Sequence, residues 1–278
     1  MSPPAYDHNR AVLCAYWILS GISALQLLVL VRFVVWNENL AHKIPLSWNR
    51  VATTFNILLF LIPIANVAVY LTCIVKILVN MTQFNLFSLQ TVDAAVIVSD
   101  MGVSSFMLCY VNYTWYRGKP VFELIMPAIV PYLTVGVNTL AVLFTVFPLP
   151  AILQEAGHTD WFSTNGEIWI ALFFTIVTVS FDLAVGIIFV RYLRSLYKEH
   201  GVIGDERNEI ISRYGVASSC VGVLSLVLFS VAIGVADAGT NMALMACVFG
   251  SFSVVHLILF LMKLELHKKR DWDLEVSS

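Results

Sequence analysis

Seven long apolar runs alternate with short polar stretches along this chain, near residues 11–36, 51–79, 94–116, 121–147, 168–190, 211–236 and 240–262. A helix rises about 1.5 Å per residue, so each run reaches across roughly 30 Å of hydrocarbon. The runs are continuous rather than alternating in polarity, which separates them from the strands of a membrane barrel, each about 10 residues long. The pattern predicts an all-α integral membrane bundle of seven transmembrane helices. Pro63 in the second run and Pro127 and Pro131 in the fourth remove backbone donors and predict bends there. The fifth helix is expected to continue past the membrane to about His200, because Arg191, Tyr192, Arg194, Leu196, Tyr197 and Lys198 contain no breaker before Gly201 and Gly204. Asp205, followed by Asn208 and Glu209, then starts a cytoplasmic extension of the sixth.

Composition supports lipid as the solvent: 59% of the 278 residues are hydrophobic and 12% charged, with a mean hydropathy of +0.83. Charge placement then orients the bundle. Of the 16 Lys and Arg residues, only Arg10 and Lys76 fall on one side of the runs; the rest, from Arg32, Lys43 and Arg50 to Lys263, Lys268, Lys269 and Arg270, fall on the other. Cations are retained on the cytoplasmic side, so residues 1–10 form a short extracellular N-terminus, 11–262 the transmembrane domain and 263–278 a cytoplasmic tail. The first run is too long for a cleavable signal and is expected to remain as an anchor. Asn80-Met81-Thr82 is a glycosylation acceptor sequence in the expected outer loop. The five cysteines all lie within spans, where packing is their expected role.

Polar groups at membrane depth must face the bundle interior or water. Counting along the runs places Asp100, Asn66 and Asn138 within roughly 10 Å of the outer surface, and Asn56, Asp182 and His256 at a similar distance from the inner one. Asp93, Asp100 and Ser104 share one helical face. This outer set is the expected binding site for a small cationic or hydrogen-bonding ligand, with Asp93 at its entrance. An Asp182–His256 contact is the expected feature of the inner layer. The expected cytoplasmic partner surface is Arg191, Arg194, Lys198, Arg207 and Arg213.

No Lys lies between Thr240 and Met262 to hold a retinal Schiff base. One membrane-embedded His does not make a zinc site. No phosphate loop, nucleophile elbow or nucleic-acid motif is present, so neither metal, cofactor, nucleic-acid partner nor enzymatic activity is expected.

Seven spans, an external N-terminus, arginine-rich ends of helices five and six, and the basic segment Lys263-Leu264-Glu265-Leu266-His267-Lys268-Lys269-Arg270 together resemble the G-protein-coupled receptor superfamily in architecture. Helix three ends Asn112-Tyr113-Thr114-Trp115-Tyr116-Arg117 where the largest receptor class carries Asp/Glu-Arg-Tyr, and Asn-Pro-x-x-Tyr is absent from helix seven. The resemblance implies a plasma-membrane receptor signalling to a cytoplasmic partner such as a G protein. The alternative is a transporter or channel, with Asp100 and Asp182 as stations for a proton, cation or small solute.

Overall fold

The computed structural model describes residues 3–40, 52–82, 89–149, 152, 164–200 and 206–277. Among these there is no strand. Six helices are long and apolar enough to cross a membrane, and one further apolar helix is shorter. We number them α1 (Pro3–Arg32, continued as a π-helix over Phe33–Leu40), α2 (Thr54–Thr82), α3 (Leu89–Ile125), α4 (Val130–Val146), α5 (Thr164–His200), α6 (Glu206–Gly234) and α7 (Ala238–Ser277). The chain is a multi-pass, all-α integral membrane protein. Its outside is apolar, with Leu25, Leu28, Tyr132, Val135, Trp169 and Phe173 all exposed, and a bilayer accommodates this surface where water does not.

Thr53 caps α2, its hydroxyl accepting the Asn56 N–H at 3.2 Å. The α2 and α3 backbones approach closely at Gly102, where a Cβ would lie 2.6 Å from Val69 Cγ2. Aromatic packing fills the interior, with Phe106 stacked on Phe252 at 4.0 Å and Phe144 against Phe174 at 5.2 Å.

Three boundaries differ from the sequence expectation. The fourth run does not form one kinked helix: its first residues extend α3 to Ile125, a turn follows, and α4 begins at Val130 with proline in its first positions. Pro131 is suited to a first turn, where its missing N–H has no helical acceptor to satisfy. Arg117 to Pro120, expected as a tight connection, is helical and inside α3. Helix α7 runs on through the expected tail to Ser277. Lys263, expected at the cytoplasmic edge, is buried, donating to Asn56 Oδ1 and lying 5.7 Å from the Phe33 ring centroid. The acceptor Asn80 is in the last turns of α2 rather than in a loop, and its side chain lies outside the described residues.

Candidate functional site

Asp182 of α5 gathers four polar side chains in the bundle interior. Three residues on one face of α3 reach it, because Tyr110, Thr114 and Arg117 follow at i, i+4 and i+7. Tyr110 donates to Oδ2 at 2.8 Å and Thr114 to Oδ1 at 2.9 Å. Ser219 of α6 donates to Oδ2, and Arg117 Nη2 stands 3.5 Å from Oδ1. The arginine is long-range for a hydrogen bond, so its contribution is chiefly Coulombic. Both charges are buried, with 4% of the Arg117 side chain and 2% of that of Asp182 exposed.

Gly215 explains how the guanidinium fits. A Cβ at that position would meet Arg117 Nη1 at 3.0 Å and Cζ at 3.1 Å, so the arginine lies flat against bare α6 backbone. Its Nη1 has no hydrogen-bond partner among the described residues, nor does the neighbouring Tyr113 hydroxyl. The result is a charged clamp joining α3, α5 and α6.

A second network, made of neutral groups, joins α1, α2 and α7. Tyr70 donates to the Phe249 carbonyl at 2.7 Å, and the Ser253 hydroxyl lies 2.8 Å from both the Tyr70 and Ser23 oxygens. Gln26 donates to the Ser253 carbonyl at 3.0 Å, and its Oε1 lies 3.1 Å from His256 Nδ1. His256 Nε2 lies 3.2 Å from the Leu59 carbonyl. That carbonyl is available because the residue four positions on is Pro63, which has no N–H to return to it. At the end of α4 the Phe144 carbonyl, with Pro148 four positions on, accepts the Phe147 N–H at 3.2 Å and also the Ser104 hydroxyl of α3.

The expected Asp182–His256 contact is therefore not made; each residue is held by its own network. Asn56 instead receives Lys263. Sequence reasoning took Arg117 for a membrane-edge cation and did not single out Tyr110, Thr114, Ser219 or Gly215.

At the other end of the bundle a cavity of about 360 Å³ opens among α1, the end of α2 and the starts of α3 and α7, with Phe147, Ala171 of α5 and Phe229 of α6 completing its wall. Tyr16, Lys76, Asp100, Asn241, Met242 and Phe249 are among its walls. Its wall thus combines a cation, a carboxylate, an amide, a phenol and the Ser99 hydroxyl with a mainly apolar lining, the usual composition of a small-molecule site. Of the expected ligand residues only Asp100 lines it. Asn66 is buried with neither amide atom hydrogen-bonded among the described residues, Ser104 is used by Phe144, and Asn138 is exposed on the outside of α4. Asp93 is in the second turn of α3, with its side chain outside the described residues. Asp100 and Arg117 are 17 residues apart on α3, so cavity and clamp are separated by about 26 Å along one rod.

Of the expected partner surface, Arg191 and Arg194 are exposed on α5. Arg213 is exposed on α6 and grips both oxygens of Glu265 on α7 at 2.6 Å, with the Tyr214 hydroxyl donating to the same carboxylate at 2.8 Å. The side chains of Lys198 and Arg207 lie outside the described residues.

No protein-family model matches this chain, and no curated protein is significantly similar to it in sequence.

Proposed function

We propose that this chain is a seven-span plasma-membrane receptor, with its N-terminus outside and its C-terminus in the cytoplasm. A small polar ligand enters the cavity at Asp100 and Lys76, and the change passes along α3 to the clamp, freeing the inner ends of α5 and α6 to engage a cytoplasmic partner such as a G protein. The observation that supports this most is the buried Arg117–Asp182 clamp, about 26 Å along α3 from the cavity. A buried ion pair has two discrete states, closed or broken, and the bare backbone at Gly215 lets the guanidinium leave without distorting α6. In this reading α4 is the seventh span. Its 17 residues cover about 26 Å, and the turn after it supplies the rest.

Plugging the cavity covalently tests this. Met242→Cys, in a chain whose exposed Cys14, Cys220 and Cys247 are replaced by Ser, is modified with a bulky methanethiosulfonate while an environment-sensitive group at Val216 of α6 is followed. The expected result is a spectral change at Val216 that disappears in Arg117→Met/Asp182→Leu. A filled cavity with no response at Val216 overturns the coupling.

A transporter reading has one observation in its favour, the polar network through α1, α2 and α7 from Tyr70 to the Leu59 carbonyl. Proton or cation flux in reconstituted vesicles, abolished by His256→Leu and indifferent to Gly215→Leu, would put that reading first.

A further inference from the structure

Helix α4 hides little of itself. It packs chiefly on α3, with Val137 and Phe144 buried, and most of its remaining circumference faces outward. On that outward side Pro131, Val135, Asn138, Val142 and Thr145 are all exposed. Their spacing is 4, 3, 4, 3, the alternation that keeps one seam of a helix against a partner helix. Val135 and Val142, on either side of Asn138, are 64% and 63% exposed.

Asn138 is the anomaly in this seam. It lies at the midpoint of α4, eight residues from each end, or about 12 Å, too far for a short amide to reach the headgroups. The threonine hydroxyls of α4 are satisfied within the helix: Thr134, Thr139 and Thr145 donate to the carbonyls of Val130, Val135 and Val142. Asn112 of α3 does the same, donating to the Leu108 carbonyl at 2.8 Å. Asn138 makes no such bond among the described residues and is exposed on the outside of α4. An amide has both donors and an acceptor, so it is complementary to a second copy of itself. Two copies inserted in one membrane share their orientation, and a two-fold axis along the membrane normal sets the two α4 seams parallel with Asn138 facing Asn138. A single asparagine at such a seam position fixes register and favours two strands.

We infer that this chain forms a homodimer through the α4 seam, with reciprocal Asn138 hydrogen bonds at its centre. This rests on the reading of α4 as a membrane span. The surface commits to a second copy because the amide at its centre, unpartnered among the described residues, is self-complementary.

The full chain, fluorescently labelled and reconstituted at low density in phosphatidylcholine vesicles, is counted by single-molecule photobleaching. Two-step bleaching is expected for the wild type. Asn138→Leu is expected to weaken association roughly ten-fold, while Asn138→Gln retains it. Val135→Trp disturbs the same seam and is expected to reduce dimers; Ile187→Trp, on the exposed side of α5, is expected to leave them unchanged. Should Asn138→Leu fail to fold, Val142→Cys in the chain lacking exposed cysteines is expected to crosslink copy to copy. Wild-type monomers, or dimers indifferent to both Asn138→Leu and Val135→Trp, overturn the inference. Reaction of Asn138→Cys with a membrane-impermeant maleimide separates the failures. Monomers that are shielded at 138 refute only the dimer, whereas labelling at 138 refutes the α4 span and the dimer with it.

Discussion

The two polar networks in the bundle interior hold different helices by different physics. On one side a carboxylate and a guanidinium, with two hydroxyls from α3 and one from α6, join α3, α5 and α6. On the other, serine, tyrosine, glutamine and histidine link α1, α2 and α7 without a formal ion pair. The neutral network distributes its strength over many small bonds, so losing one leaves the rest in place. The charged one concentrates it in a pair whose partners cannot be left alone in a low dielectric. The contrast predicts that the contacts among α3, α5 and α6 depend on charge where those among α1, α2 and α7 do not.

The largest expected effect breaks the charged side. Asp182→Ala leaves the Arg117 cation buried without its counter-charge, and a loss of about 3–5 kcal/mol is expected in denaturant titration of the solubilised chain. Arg117→Met/Asp182→Leu should recover most of that loss, because no buried charge remains; if the double variant is as unstable as the single one, charge is not what matters at this site. Gly215→Leu comes next, at about 1–3 kcal/mol by the same titration, since its side chain claims the space of the guanidinium. Combined with Asp182→Ala it should cost less than the sum, because both act on one arginine.

The neutral side is expected to respond less. His256→Leu leaves the Leu59 carbonyl and Gln26 without their partner, at about 1–3 kcal/mol. In a Pro63→Ala chain the restored N–H at 63 takes the Leu59 carbonyl, so the cost of His256→Leu should fall; an unchanged cost would mean that the proline does not create the acceptor. Ser253→Ala is the smallest change, at roughly 0.6 kcal/mol, the average for an interhelical bond within a membrane.

Helix existence was legible in the sequence because lipid demands long apolar runs, and six of the seven runs coincide with membrane-length helices. The α3–α4 boundary was not, because Pro127 and Pro131 lie within an unbroken apolar run and hydropathy does not report where hydrogen bonding stops. Position along the bundle axis was readable by counting residues, which separates Asp100, in the cavity wall, from Asp182, beside Arg117 at the other end of α3. Azimuth was not, so Asp182 and His256, alike in depth, were expected to meet. Two local signals pointed elsewhere. Tyr110, Thr114 and Arg117 form one polar row on α3 that an acidic group deep in a neighbouring helix would seek, and Pro63 exposes a carbonyl one turn back that a buried histidine can fill. Arg117 was hidden by its position among cations that the positive-inside rule already explained. Asn138 was grouped with the ligand residues by depth alone, whereas the packing of α4 turns it outward.

The account stands or falls on whether the buried Arg117–Asp182 pair holds α3, α5 and α6 together. Spin labels at Leu124 and Glu209, both exposed near the clamp end of those helices, report their separation by pulsed dipolar spectroscopy in nanodiscs, in the chain lacking exposed cysteines. One narrow distance distribution is predicted for the wild type, and a broader one shifted to longer distance for Asp182→Asn. Identical distributions in the two proteins would contradict the clamp.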